Sequence, residues 1–324
     1  MPSYSGVWTL PAQYQAKGSG LWNPPNVGGD IGLFAGGINQ SNVSINTIQY
    51  ITISTTGNAT SFGQLTVTGT TSGLASSTRG VFGSIGGAFS TASTINYVTI
   101  NTTGNATFFG NLSVGRTVVG TCSSSTRGLF GGGYGATSYS TIDYITIATT
   151  GNATTFGNLG NIAYWPVGCS SPTRGLFAGG DDGAGATNVI NYVTIATTGN
   201  STDFGDLIQA VYGAGACASS TRGVFAGGSA PPSTVISSIS YVTIATTGNA
   251  TTFGNATSII LFSAGCSSST RGIFGGGATS NSFTASINVI QYITIATTGN
   301  ATSFGTLTLP DYYLGACSNS HGGL

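Results

Sequence analysis

The sequence predicts an all-β fold: a six-bladed β-propeller of four-stranded antiparallel blades, closed by a C-terminal strand that completes the N-terminal blade. Three observations predict it. The composition disfavours helices, one unit recurs six times, and the two chain ends are complementary.

The 324 residues include no glutamate, Lys17 is the only lysine, and charged residues make up 4% of the chain. Helices draw on Glu, Lys, Arg, Gln, Leu and Ala, whereas the abundant Val, Ile, Thr, Tyr and Phe favour sheet.

The segment Thr-Thr-Gly-Asn begins at residues 55, 102, 149, 197, 246 and 297, giving spacings of 47, 47, 48, 49 and 51. A strand-rich period of this length lies between those of known propeller repeats. Each unit divides into four strands. The third unit shows them: a first strand ending at Cys122, a Ser-Ser-Thr-Arg turn, and a second strand Gly-Leu-Phe-Gly-Gly. A variable loop follows, then a third strand Tyr-Ile-Thr-Ile-Ala-Thr-Thr, a two-residue Gly-Asn hairpin turn and a fourth strand Ala-Thr-Thr-Phe-Gly.

The chain ends then fit together. Residues 29–37 supply a second strand with no first strand before it, and residues 312–324 supply a first strand and turn with nothing after them. Residues 29–66 with 312–324 therefore make blade one, and the propeller spans 29–324. An open array would need polar caps instead. Residues 1–28 lie outside the repeat as an N-terminal arm. The arm carries Trp8, Tyr14 and Trp22 with Pro11, Pro24 and Pro25. Disordered tails are poor in aromatics, so the arm is expected to pack, as an attachment segment.

The unit resembles a kelch-type repeat: a second strand ending in Gly-Gly, a long loop, a Tyr-bearing third strand and an aromatic in the fourth. Here that aromatic is Phe62, Phe109, Phe156, Phe204, Phe253 and Phe304 where kelch repeats carry Trp. The Thr-Arg-Gly-Leu-Phe-Gly-Gly-Gly and Tyr-Ile-Thr-Ile-Ala-Thr-Thr-Gly-Asn-Ala-Thr wording, with the opening Gly-Val-Trp-Thr-Leu-Pro-Ala, also resembles repeat proteins of tailed, particularly marine, phages. That likeness implies a virion component, attached to a tail, fibre or capsid.

Residues with chemical potential mostly repeat once per blade. Cys122, Cys169, Cys217, Cys266 and Cys317 share one position, held by Leu74 in the remaining unit. An odd count and an apolar substitute favour packing over disulfides or a metal ring. Arg79, Arg127, Arg174, Arg222 and Arg271 also recur, which favours scaffold bonds to a neighbouring blade's carbonyls over a cationic rim. The Asn-Ala-Thr triplets read as turns rather than glycosylation acceptors.

Catalysis lacks parts. His321 is the only histidine, and Asp30, Asp143, Asp181, Asp182, Asp203, Asp206 and Asp311 are dispersed. No cofactor, no metal and no enzymatic activity are expected. Asp181-Asp182 reads as a solvated turn before a calcium site. Seven basic residues balance seven acidic ones, so a nucleic-acid partner is not expected. No apolar run reaches membrane-spanning length and no signal peptide is recognisable. Synthesis in a cytoplasm, with later release in an assembly, is the expected route.

Comparison among repeats locates function. The turns between strands one and two, and between three and four, barely change. The connections between two and three, and from four to the next blade, differ in every copy. In an up-and-down blade these two classes lie on opposite faces of the disc. Variable loops on a rigid scaffold build binding surfaces. Here they carry Tyr164, Trp165, Tyr212, Phe262, Tyr312 and Tyr313, candidates for contact with other protein subunits or a neutral surface glycan. The same rings have a plainer reading, as a lid on the central channel.

Overall fold

The computed structural model describes residues 29–87, 90–281 and 285–324. They form no helix and six four-stranded antiparallel sheets, the blades of a six-bladed β-propeller. Ring closure is borne out. Blade 1 takes its first strand, Gly315–Ser318, from the C-terminus and pairs it with Ile31–Ala35, followed by Thr47–Thr52 and Thr60–Gln64. Blade 2 opens at Thr70–Ala75, blade 3 at Gly120–Ser123, blade 4 at Val167–Ser170, blade 5 at Gly215–Ala218 and blade 6 at Ala264–Ser267. These first strands line the channel. Where blade 1 lacks a covalent turn, Asn319 replaces it: its Oδ1 accepts the Ile31 N–H at 2.8 Å and its Nδ2 donates to the Gly29 carbonyl at 3.1 Å.

The core is divided by blade interface rather than concentrated at one centre. Six apolar clusters each draw on two adjacent blades. The second-strand phenylalanines Phe34, Phe82, Phe130, Phe177, Phe225 and Phe274 are at most 3% exposed, and burial of each such ring contributes about 2 kcal/mol or more. Glycines make room for them. A Cβ on Gly83 would collide with the Phe130 ring of the next blade, and one on Gly131 would lie 2.7 Å from Phe177.

The third-to-fourth connection differs from the expected tight hairpin. In blade 3 the third strand stops at Thr146 and the fourth starts at Thr154. The intervening Thr-Thr-Gly-Asn-Ala runs along the outer strand of blade 2 instead. Gly151 N–H donates to the Phe109 carbonyl at 2.9 Å, Ala153 N–H to the Asn111 carbonyl at 2.8 Å, and Asn152 Oδ1 accepts the Asn111 N–H at 3.0 Å. The same triple bond set recurs at all six interfaces, including blade 1 onto blade 6 through Gly57, Asn58 and Ala59. An exposed outer strand is a template for unwanted pairing. Here the neighbour's turn covers it, which is why this turn is the least variable segment in the chain.

Candidate functional site

The recurring arginines all make one arrangement. Each guanidinium lies 4.2–4.6 Å from the ring centroid of the third-strand tyrosine in its own blade: Tyr97, Tyr144, Tyr192, Tyr241 and Tyr292. Each also donates to a carbonyl of the following blade, Arg79 to Ile147 at 2.8 Å and Arg271 to Ile53 at 2.8 Å, with Arg127, Arg174 and Arg222 alike. The tyrosines meet the fourth-strand phenylalanines edge-on. The guanidinium charge is thus committed to an aromatic face and a carbonyl inside the ring.

The five cysteines are buried and unpaired as disulfides. Each occupies space left by the glycine after the next blade's Arg position; a Cβ on Gly175 would collide with Cys122 Sγ. Burial pushes the thiols of Cys169 and Cys266 up to about 12 and those of Cys122, Cys217 and Cys317 well above their usual range. A thiol held protonated is neither nucleophile nor metal ligand. Among the described residues no three His, Cys, Asp or Glu side chains gather into a metal-binding group. Asp181 and Asp182 accept amides of their own loop, Gly183 N–H at 2.8 Å and Ala184 N–H at 2.9 Å.

On the variable face the aromatic candidates converge on the channel axis. The equivalent positions there, four residues before each Cys or Leu74, are Thr70, Val118, Trp165, Gly213, Phe262 and Tyr313. The last five share a left-handed backbone, with φ of 56–66°, although only one is glycine. The cause is a girdle of backbone hydrogen bonds around the mouth. Trp165 N–H donates to the Val118 carbonyl, Gly213 to Trp165, Phe262 to Gly213, Tyr313 to Phe262 and Thr71 to Tyr313. Ser72 Oγ donates to the Val119 carbonyl at 2.7 Å and links blade 2 to blade 3.

The girdle turns the large side chains inward. Trp165 packs among Tyr164, Tyr212, Phe262 and Tyr313 at centroid distances of 4.7, 5.1, 5.1 and 6.2 Å. Phe262, Tyr312 and Tyr313 are buried, while Tyr134, Tyr164, Trp165 and Tyr212 are half-buried. The candidate set therefore splits: Phe262, Tyr312 and Tyr313 are enclosed, whereas Tyr164, Trp165 and Tyr212, with Tyr134 beside them, offer surface, and Trp165, Phe262 and Tyr313 wall the channel mouth. Burial, helped by Asp181, raises the Tyr164 phenol to about 12. Around this lid, the loops entering blades 2, 4, 5, 6 and 1 expose Val67, Ile162, Ile208, Ile259 and Leu309 at 40–45%.

The opposite mouth is filled by the C-terminus. The residue after each Cys or Leu74 is Ser123, Ser170, Ser267 or Ser318 in four blades, and Ala75 and Ala218 in blades 2 and 5. The serine hydroxyls bridge to the preceding blade's carbonyl at 2.6–2.9 Å. The chain's last residues cross this ring between the two alanines. His321 Nε2 lies 2.9 Å from the Ala75 carbonyl, and Gly322 N–H donates to the Ala218 carbonyl at 3.0 Å. A Cβ on Gly323 would meet the Ser123 carbonyl, so only glycine passes there. Between lid and strap lies a cavity of about 160 Å³ lined by the first strands.

Two acidic residues and one arginine escaped the sequence reading. Arg116 and Asp143 form a fully buried ion pair at 3.1 Å, and Asp143 also accepts the Ser113 hydroxyl and amide. The signal was present: Arg116 lies off the arginine repeat, and Asp143 stands where other blades carry Gln49, Asn96, Asn191, Ser240 or Gln291. Asp311 is 1% exposed and its Oδ1 has no hydrogen-bond partner; burial raises its carboxyl to about 8. Trp8, Tyr14 and Trp22 lie outside the described residues.

No protein-family model matches this chain, and no curated protein matches it.

Proposed function

We propose that the chain is a non-catalytic structural and binding module of a larger protein assembly, anchored through its N-terminal arm and presenting its individual loops outward. The setting suggested by the repeat wording is a phage virion, in its tail, fibres or capsid surface. The observation that carries the reading is the placement of Gly29. Hydrogen-bonded to Asn319, it leads into a second strand from the face of repeating turns, opposite the face of individual loops. The chain therefore enters the propeller on one side of the disc, and the aromatic lid with its aliphatic surround lies on the other.

Two further features support it. The recurring Arg, Cys and Asn side chains are engaged within the ring, so the repeat serves the scaffold. The loop face is apolar and nearly uncharged, as suits contact with protein.

The test is the assembly state of the full chain beside residues 26–324, by mass photometry with negative-stain imaging. Defined oligomers or particles from the full chain, and a folded monomer of about 30 kDa from the shortened one, are the expected outcome. A full chain that stays monomeric, or a shortened chain that assembles equally well, overturns the reading.

A further inference from the structure

The arm joins the propeller at the seam where the two chain ends close blade 1, and it leaves from the face of repeating turns. That face carries the five recurring arginines, like in sign to Lys17 of the arm and already held by tyrosine rings and carbonyls. The loop face differs in both respects. Val67, Ile162, Ile208, Ile259 and Leu309 surround the aromatic lid at 40–45% exposure. Asp181 and Asp182, both half-buried, stand in the loop between the second and third strands of blade 4, where Asp181 bridges to Tyr164.

The arm is the complement of this surface. Residues 1–28 hold Tyr4, Trp8, Tyr14, Trp22 and four prolines, and Lys17 is their only charged residue. Aromatic and proline side chains dock on apolar, ring-lined surfaces with little loss of freedom, and a single cation opposite a pair of carboxylates sets the register.

Length decides which copy receives the arm. Blade 4 stands diametrically opposite blade 1 in a ring of six. With strands about 4.8 Å apart and about 3.3 Å per residue, a path from Gly29 over the rim of its own disc and across the loop face to Asp181 is about 60 Å or longer. The channel gives no shorter way, since the strap crosses one mouth and the lid the other. Lys17 precedes Gly29 by twelve residues, a reach of about 40 Å when fully extended. In a second copy whose loop face meets this turn face, the same carboxylates lie across the contact and inside that reach.

We infer that the arm docks on the loop face of a second copy of this chain, with Lys17 beside Asp181 and Asp182 and its aromatic residues on the aliphatic ring, so that copies stack head to tail. This docking rests on the assembly role proposed above and names the partner in it. The contact joins two different faces, so it repeats from copy to copy and leaves one loop face open at the end of a stack.

The chain supplies its own probe, because Lys17 is its only lysine and it has no glutamate. Isotopically light and heavy preparations of the full chain are mixed while dilute, concentrated to assemble, and treated with a carbodiimide, which condenses an amine and a carboxylate into an amide. Mass spectrometry of the linked fragments is expected to show Lys17 joined to Asp181 or Asp182 in light–heavy pairs. Same-isotope pairs alone mean that the arm folds back on its own copy, and links to Asp30 alone mean that it stays on the turn face. Either result overturns the inference, as does an assembly with no link from Lys17 to the loop-face pair, and the assembly role survives all three. A full chain that never assembles overturns both. A second measurement addresses the apolar ring. Ile162, Ile208 and Ile259 are 41–45% exposed, so Ile162→Ser, Ile208→Ser and Ile259→Ser together leave the blades folded. In the full chain they should raise the concentration at half-assembly at least about tenfold. An unchanged midpoint counts against the inference.

Discussion

The two faces of the disc are built from the same six repeats by opposite rules. On the face of repeating turns, three of the recurring polar side chains bond to a neighbouring blade. Asn caps the outer edge, Arg reaches the next third strand, and Ser bridges the channel ring. On the other face the backbone repeats while the side chains do not. Five equivalent residues share one left-handed conformation and one hydrogen-bonded girdle, yet they are Val118, Trp165, Gly213, Phe262 and Tyr313. The difference teaches where constraint lies in a ring of repeats. Side-chain identity is fixed where side chains make the interface bonds, and it is free where the backbone makes them.

The largest effect should come from breaking the covered outer edge. A Cβ on Gly110 would collide with the Gly151 carbonyl of the next blade, whereas one on Gly151 has nothing within 4 Å. Gly110→Ala is expected to cost about 3 kcal/mol, through a forced shift of two interlocked blades, and Gly151→Ala less than about 1 kcal/mol. Denaturant unfolding of both variants measures this. Equal costs would mean that the turn does not bear on its neighbour, and that the uniformity of this face needs another cause.

The path of that turn also marks how far the sequence could be read. Strand number, blade number and closure follow from spacing and from complementary ends, because a period-two pattern and a ring both leave marks along the chain. The true path of Thr-Thr-Gly-Asn does not follow, since Gly-Asn is equally good in a tight hairpin and in an extended excursion. Only the neighbouring blade's unpaired edge decides between them. The aromatic lid was legible as a set of rings but not as a divided one. Trp165 and Phe262 look alike in sequence, and their different exposure depends on which ring lies above which. The Arg116–Asp143 pair stayed hidden because its members are 27 residues apart and meet through a loop that no repeat comparison aligns.

A moderate effect should come from the individual face. Asp311 shares its place in the repeat with Arg116, but it is buried without a compensating charge. Its folded carboxyl titrates near 8 against an ordinary value of 3.8. With the folded value raised, the protonated acid favours the fold at low pH, and that contribution is lost as pH climbs through about 8. Asp311→Asn is neutral at every pH. It is expected to leave stability unchanged near pH 4 and to raise it progressively from there, by at least about 2 kcal/mol above pH 8, as the cost of the buried charge disappears. Melting curves across that range test it. A gain that is independent of pH would assign the effect to packing.

The smallest and most local effect should appear at the strap, where the uniform face gives up its symmetry. His321 is placed between two bonds that require a neutral ring. Nδ1 accepts the Gly323 N–H at 3.0 Å, so Nε2 carries the proton and donates to the Ala75 carbonyl at 2.9 Å. Desolvation lowers the folded imidazole below its ordinary 6.5, opposed in part by the Ala75 bond. The unfolded or released tail therefore binds a proton that the docked tail refuses. Its docking is at full strength above about 6.5 and weakens as pH falls from there through the lowered folded value. Protonation also replaces the Nδ1 acceptor by a second donor facing the Gly323 amide, so the loss should begin at the last three residues. Hydrogen exchange at Gly322 and Gly323 should quicken severalfold between pH 7.5 and 5 beyond the intrinsic pH trend, with the blade cores unchanged. In His321→Gln the same amides should exchange with no such excess. An excess that survives the substitution would place the acid-sensitive group elsewhere on the seam.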